Sequence, residues 1–440
     1  MPQHSSHLRT DAVAIWTAGV DAVRPARLFG SVADRLRSLA ASANRVLVVG
    51  CGKAGSAMAA ELEAALAGEL GKVEGIVNVP EGTVRPLQKV RLHPARPAGS
   101  NHPTEAGVDG ADAMLRLLAS AGPDDVAICL ISGGGSALLP APAAGVSLAD
   151  KQAITKLLHA SGATIGEMNA VRKHLSRVKG GRLAEAFRGR RMLSLIVSDV
   201  VGDPLDVIAS GPTAPDPSTF ADATAVLRKF GLTGRVPPAV LDHLKRGDRG
   251  EVPETPKALP VTVENVVLGR CEVALQAAEA EAVRLGYRVL NLGAFVEGES
   301  REVAVAVAGI ARSIRESGVP VAPPACLLLG GETTVALGDS PGTGGRNQEF
   351  ALAAAVKLGR DHLPGIAVLS GGTDGEDGPT DAAGAVATAD TLRTAAELGL
   401  DPAESLRRHD AYPFFDRTGG LLRTGPTDTN VMDLRVILVR

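Results

Sequence analysis

The stretch Arg45-Val-Leu-Val-Val-Gly-Cys-Gly-Lys-Ala-Gly-Ser-Ala-Met-Ala59 decides the fold. Its opening Val-Leu-Val-Val run is uninterrupted and apolar, as in a strand buried on both faces. A glycine turn follows, and the Ala-rich run from Ala54 to Leu70 predicts a helix. Such a strand, turn and helix are suited to an anion. Gly50, Gly52 and Gly55 let the backbone turn and approach a ligand, and the N–H groups at the helix start are expected to point at it.

The stretch also spells G-x-G-x-x-G, the dinucleotide fingerprint. A dinucleotide site needs an acid at the end of the next strand, about 20 residues on. Here the strand Gly75–Val79 runs into Pro80 and Glu81, so the acid comes late and behind a proline. Lys53, a mobile cation where the loop meets a helix dipole that favours negative charge, suits phosphate better than a nicotinamide ribose. A plain packing turn between strand and helix is a second reading of the same glycines.

A chain of 440 residues exceeds one compact core, so two domains are expected. Hydrophobic residues at 45% and charged residues at 22% are ordinary for a globular protein. Aromatics at 2% leave little for stacking on bases, and a net charge of −3 offers no basic footprint, so nucleic acid and anionic membranes are not expected partners. Cys51, Cys129, Cys271 and Cys326 are scattered, which argues against a zinc site or a disulfide framework. The N-terminus has no apolar core of a signal peptide, and no run reaches the about 18 apolar residues of a membrane span. A cytoplasmic protein is expected.

Two helices are expected over residues 8–41, covering one face of a sheet. An extended segment surrounds Lys89–Leu92, and the polar loop Asn101, His102, Thr104 precedes a helix over 105–119, as a cap or as a ligand contact. The apolar strand 125–131 runs straight into Ser132-Gly-Gly-Gly-Ser136. Three glycines cost chain entropy, and the stretch reads as a nest of N–H groups for an anion, with a flexible hinge as the plain alternative. Helices fill 148–187 with breaks at Gly162 and Gly180-Gly181. Within them Arg172, Lys173, His174, Arg177 and Lys179 gather cations near one spot, which a solvated basic face explains equally well. The strand 192–197 ends at Ser198-Asp199, where an acid meets ligands in an α/β sheet; Asp199 could accept a hydroxyl proton or coordinate magnesium, while Asp203 reads as a turn residue.

The segment 246–260, rich in Gly, Pro and charge, reads as a linker. It divides an N-terminal domain, 1–245, from a C-terminal α/β domain, 261–440, that begins with a strand over 263–268. In the second half, strand 325–329 ends at the polar loop carrying Glu332, and Arg346 opens a helix that runs to about 358. An arginine at a helix N-terminus is unfavourable unless an anion neutralises it, so Arg346 reads as a phosphate or carboxylate clamp, or else as a surface arginine. The loop Ser370–Asp381 carries Asp374, Glu376, Asp377 and Asp381, which are solvated turn residues or oxygen ligands for magnesium. Asn430, before the last strand Asp433–Val439, is a donor to a ligand or a turn residue.

Glycine nests with two cations at strand ends describe a site for a highly anionic ligand, as phosphoryl transfer requires. No P-loop and no protein-kinase signature occurs. In order, the segments VVGCGKAGSAMA, SNHPTEAG, ISGGGSALLPAP, MNAVRKHLSRVKGGRLA, SDVVGDPLDVIASGPT, GGETTV, GTGGRNQEFALA, SGGTDGEDGPTDAAGA and GPTDTNV resemble the bacterial and archaeal glycerate 2-kinases, which pair a glycerate-kinase domain with a C-terminal MOFRL domain. The resemblance runs from about Ala12 to the end. Glycine is common in that family where Asp428 stands here.

The resemblance implies an α/β fold with a Rossmann-like N-terminal domain, a smaller α/β domain and the site in the cleft between them. It implies ATP- and Mg²⁺-dependent phosphorylation of D-glycerate, typically at the 2-hydroxyl, by a monomer or homodimer. The family's lysine falls on Lys53, its arginine on Arg346 and its strand-end aspartate on Asp199. ATP is then expected against Gly50, Gly52, Ser132, Gly133, Gly134, Gly135, Ser136, Glu332, Asp374 and Asn430, with Asp199 and Asp377 as metal ligands. Lys53 and Arg346 would neutralise the transferring phosphoryl group, Asp199 would orient or deprotonate the acceptor hydroxyl, and closure about 246–260 would exclude water. Which cation holds the glycerate carboxylate stays open. Relatives have also been named hydroxypyruvate reductases, and that NAD(P)H-dependent activity is the alternative, ahead of a non-catalytic sensor.

Overall fold

The structure, a computed structural model, describes residues 2–97, 102–338 and 342–440. The chain divides into two compact units. One, the N-terminal sheet unit, comprises Leu28–Ser198 and Asp203–Leu268; the other, the C-terminal sheet unit, comprises Met1–Arg27, Asp199–Gly202 and Gly269–Arg440.

In the N-terminal sheet unit six strands form one sheet: β1 (Val46–Cys51), β2 (Val73–Pro80), β3 (Val90–Arg96), β4 (Val126–Ile131), β5 (Arg191–Val197) and β6 (Thr262–Gly269), in the order β3-β2-β1-β4-β5-β6. The pairs β1/β2, β1/β4, β2/β3 and β4/β5 are parallel. Every residue of β1 and β4 is buried, as their unbroken apolar runs require. The strand order reverses between β1 and β4, and in such sheets ligands bind beyond the carboxyl ends at that switch point. The expected helix after β1 is shorter than read: Gly55–Ala65 is α-helical, and a 3₁₀ segment, Ala67–Lys72, follows.

The domain boundary expected at 246–260 lies elsewhere. Residues 246–248 finish the helix Pro238–Asp248, and β6, read as the first strand of the second domain, completes the first sheet. The segment's side chains tie it to the unit it leaves: Glu254 Oε1 lies 2.6 Å from His174 Nε2, and Thr255 Oγ1 donates to Asp216 at 2.9 Å. Composition alone resembles a linker; these bonds make the segment part of a domain.

The C-terminal sheet unit holds a mixed sheet of β7 (Arg288–Asn291), β9 (Ala325–Gly331), β11 (Ile366–Gly372), β12 (Gly384–Ala387), β13 (Leu421–Leu422) and β14 (Asp433–Val439), ordered β13-β12-β11-β14-β9-β7, with a two-strand pair of β8 (Gly298–Glu299) and β10 (Thr333–Thr334). Strand β14 runs antiparallel to β9 and β11 and divides the core. Leu434, Val436 and Leu438 join a cluster with Leu8, Ile15 and Trp16 of the N-terminal helix Pro2–Ala22. Ile437 and Val439 join the opposite cluster, with the helices Ser300–Ser317 and Arg346–His362. The first helix thus does cover a sheet face, but of the C-terminal unit. The second expected helix is broken into Pro25–Leu28, a 3₁₀ turn and Ala33–Ala41. No helix among the described residues is long and apolar enough to cross a membrane.

Trp16, the chain's single tryptophan, is 2% exposed and donates from Nε1 to Gly371 O at 3.2 Å. Truncation to Ala leaves a cavity and removes this hydrogen bond, so Trp16→Ala is expected to lower unfolding free energy by about 3–5 kcal/mol, read from urea denaturation followed by circular dichroism.

Candidate functional site

Two turns meet at the switch point. Gly50 lies so close to β4 that a Cβ would collide with Leu130 O, and at Gly52, with φ of +140°, a Cβ would collide with Ser132. Glycine is required at both because the turns touch, which is the packing reading of these residues. Three N–H groups of the turn before the helix bond inside the protein: Gly52 donates to Asn78 O at 3.2 Å, Lys53 to Gly133 O at 2.9 Å and Ala54 to Ser132 Oγ at 3.0 Å. With those three N–H groups engaged, side-chain cations add to what this corner offers an anion. Lys53 supplies one: its Cγ and Cε, with Arg96 Nη2 from the end of β3, lie 3.2–3.7 Å from the point a Gly134 Cβ would occupy. Two cations thus lie along the Ser132–Ser136 loop, and Arg96, 4% exposed, gave no sequence signal because it sits inside a strand.

Ser136 is the polar centre of the same loop. Its Oγ accepts from Lys179 Nζ at 2.9 Å and from Arg172 Nη2, and lies 2.9 Å from Ser210 Oγ. Ser210 Oγ in turn donates to Asn169 Oδ1 at 3.0 Å, so the Ser136 proton points at Ser210. The turn that presents Ser210 is strained, with Ala209 at φ +51°, Ser210 at +65° and Gly211 at +63°. It is locked by Lys179 Nζ on Ala209 O at 3.3 Å and by the N–H groups of Gly180 and Gly181 on the carbonyls of Ser210 and Gly211 at 3.0 and 2.7 Å. The basic cluster is not a solvated face. Lys173, His174 and Lys179 are buried, Lys173 against Asp206 and Asp216 at 3.1 Å each, while Arg177 alone is exposed, paired with Asp112 at 2.6 Å.

In the C-terminal sheet unit Arg346 opens the helix Arg346–His362, as read, but its fork is engaged by protein carboxylates. Nε and Nη2 donate to Asp433 at 2.7 and 3.0 Å, and Nη1 lies 2.8 Å from Glu332. Asp433 is fully buried and also accepts from Asn347 Nδ2 at 2.8 Å and Arg435 Nη2 at 3.1 Å. Burial pushes the Asp433 carboxyl up, but Arg346 and Arg435 outweigh it and hold it below the usual range. Sequence reasoning missed Asp433 and Arg435. Their signal was two charges at alternate positions opening an otherwise apolar strand, on the β14 face that carries Ile437 and meets Phe350, over which Arg435 lies at 5.0 Å.

The other expected acids take separate roles. Asp377 is a helix cap: Oδ1 accepts from Asn347 N at 3.0 Å and Oδ2 from Gln348 N at 2.8 Å. Burial pushes its carboxyl up to about 7, the two N–H donors and Arg346 opposing and Asp433 adding. Both oxygens thus serve the helix start, a cap role that sequence reasoning did not assign to Asp377. Asp381 turns to the surface with Tyr412 and Arg423. Asp374 accepts from Glu376 N at 3.0 Å. Asn430 Nδ2 donates to Asp199 Oδ2 at 3.3 Å, and its Oδ1 accepts from Met432 N at 3.3 Å. Glu332 lies within the fields of Asp433, Asp199 and Asp374, which with desolvation push its carboxyl upward against the pull of Arg346. Asp428, where glycine was expected, has φ of +63°, a conformation glycine reaches freely and Asp tolerates. Thr104 caps the helix Glu105–Ala119, while Asn101 lies outside the described residues. Among the described residues no group of three His, Cys, Asp or Glu is arranged to hold a metal ion.

Residues 11–245 match a domain of unknown function (DUF4147), and residues 325–433 match the MOFRL family. The glycerate 2-kinase of Pyrococcus horikoshii is 40% identical over 90% of this chain and 87% of its own length. A relative from Agrobacterium vitis, provisionally named hydroxypyruvate reductase, is 44% identical over 90% of this chain and 87% of its own. The crystal structure of glycerate kinase from Thermotoga maritima, 36% identical, superposes with a TM-score of 0.84, covering 99% of this chain and 100% of that one.

Asp433→Asn leaves two arginines without their buried carboxylate and is expected to destabilise the chain by about 3–5 kcal/mol, against about 0–1 kcal/mol for Asp381→Asn at the surface. Because the folded Asp433 carboxyl is held low, its stabilisation is complete above the unfolded carboxylate range, about pH 4, and fades as pH falls below it. Urea midpoints of both variants measured from pH 7 down to pH 3 check size and sign together.

Proposed function

This chain belongs to the glycerate kinase family that joins DUF4147 to MOFRL, and on that premise we propose that it transfers the γ-phosphoryl group of ATP to the 2-hydroxyl of D-glycerate, giving 2-phosphoglycerate and ADP. What carries this reading at the level of residues is the placement of Lys53 and Arg96 along the Ser132–Ser136 loop, at the switch point of a parallel sheet. Phosphoryl transfer asks for positioning and for positive charge on the transferring group more than for covalent help.

In this proposal Lys53 and the loop Ser132, Gly133, Gly134, Gly135, Ser136 bind phosphate oxygens, with Gly50 and Gly52 as the small residues that let the turns touch. Arg346 is the second cation assigned to the transferring group; Asp433 fixes its guanidinium plane and Glu332 sets its outer nitrogen. Asp199, oriented by Asn430, accepts the proton of the acceptor hydroxyl as the O–P bond forms and the bond to the ADP oxygen breaks. Magnesium is ordinarily held by one or two carboxylates together with substrate phosphates, and in this proposal Asp199 is the carboxylate that would hold it. When bound, the ion would neutralise phosphate charge.

A reductase would use the G-x-G-x-x-G turn for a pyrophosphate, yet the N–H groups of Gly52, Lys53 and Ala54 already bond to Asn78, Gly133 and Ser132. Glu81, the acid it needs for the ribose, is exposed in the 3₁₀ turn past β2. Both facts favour the kinase. Lys53→Ala is expected to cut ADP release in the presence of D-glycerate by about a hundredfold or more, with a melting temperature close to the parent's. Turnover unchanged in that variant would remove Lys53 from the reaction.

A further inference from the structure

Beside the Ser132–Ser136 loop, the N-terminal sheet unit keeps three cations that the phosphotransfer reading does not use. Lys151 comes from the helix Leu148–Ala160, Arg172 from the helix Ile165–His174 and Lys179 from the turn beyond it. Lys151 is 8% exposed, and its Nζ, closed off from solvent, has no hydrogen-bond partner. Lys179, 2% exposed, spends its donors on neutral oxygens, Ser136 O, Ser136 Oγ and Ala209 O. Arg172 donates to the same Ser136 Oγ.

Among the described residues none of the three forms an ion pair, and the nearby acids are engaged: Asp206 and Asp216 with Lys173, Glu254 with His174, Asp112 with Arg177. Burial lowers the Lys151 pKa to about 7, with the charges of Arg172 and Arg177 adding, and burial, Arg172 and Lys151 together hold that of Lys179 well below its ordinary value. Buried charges in proteins are normally paired, and a desolvated ammonium beside two guanidinium groups is tolerated where an anion is meant to arrive.

We propose that Lys151 and Arg172, backed by the Lys179 that fixes Ser136, form a pocket for a compact oxyanion, the carboxylate or a phosphate group of a small ligand. The proposal rests on the kinase reading only for the identity of that ligand: the acceptor's carboxylate or a nucleotide phosphate. Lys151 and Arg172 contact the oxyanion; Lys179 is a positioning residue. Facing Lys151 are Arg172 and Arg177, and Arg177 is balanced by Asp112 from the helix Glu105–Ala119. An arriving anion raises the Lys151 pKa, so binding at pH 8 takes up a proton.

Calorimetry of the full chain tests this, with D-glycerate, glycerol, inorganic phosphate and ATP titrated separately at pH 8 in buffers of different ionisation enthalpy. The parent is expected to bind at least one oxyanion with proton uptake and to ignore glycerol. Lys151→Met is expected to weaken that ligand by about tenfold or more and to lose the uptake, while Lys151→Arg restores affinity. Weakening confined to D-glycerate assigns the carboxylate, and weakening of phosphate and ATP assigns the phosphate. Should Lys151→Met not fold, Arg172→Gln carries the same comparison. Equal affinities and equal proton uptake in parent and variants overturn the pocket, as does a parent that binds none of the oxyanions. A parent that binds in a Lys151-dependent way but releases no ADP from ATP and D-glycerate sinks the kinase reading and leaves the pocket standing.

Discussion

A serine hydroxyl, Ser132 Oγ, accepts from the N–H of Ala54, and through that bond the turn after β1 and the turn after β4 become one rigid corner. Gly52 admits the hydroxyl, Lys53 N reaches across to Gly133 O, and Ser132 N returns to Cys51 O at 3.0 Å. The consequence is chemical as well as mechanical. Three N–H groups of the fingerprint turn, those of Gly52, Lys53 and Ala54, are engaged inside the protein and are not offered to a pyrophosphate. Lys53, Arg96, Arg172 and Lys179 gather around the loop that Ser132 anchors, and the strained Ala209–Gly211 turn is locked onto it from β5's side of the sheet.

The C-terminal sheet unit solves the reverse problem. There one buried carboxylate, Asp433, organises two arginines, and the helix that begins at Arg346 is capped by a second, Asp377. An arginine at the positive end of a helix dipole is stable because acids surround it on three sides. Arg346 is thereby fixed in orientation and kept protonated, while burial, with Asp433, Asp199 and Asp374, pushes the Glu332 carboxyl upward.

Local features were legible in the sequence. The strand and turn at Val46–Gly52, the cap at Thr104 and the last strand, Asp433–Val439, lie where periodicity and capping rules put them. Partnerships across the chain were not. Trp16 meets Gly371 more than 350 residues away, and nothing in the period of the first helix says which sheet it covers. The apparent linker has the composition of one, and only Glu254 and Thr255, finding His174 and Asp216, reveal it as part of a domain. The same holds for the site. Lys53 and Arg346 announce themselves by position in a turn and at a helix start, whereas the carboxylates on Arg346 and the inward aim of Lys173 and Lys179 depend on folded neighbours.

Phosphorus NMR of the purified chain with D-glycerate, ATP and Mg²⁺, run beside hydroxypyruvate and NADH followed by absorbance, addresses the phosphotransfer claim most directly. Growth of a 2-phosphoglycerate resonance together with ADP is the expected result. Steady NADH consumption with no new phosphoester would contradict it.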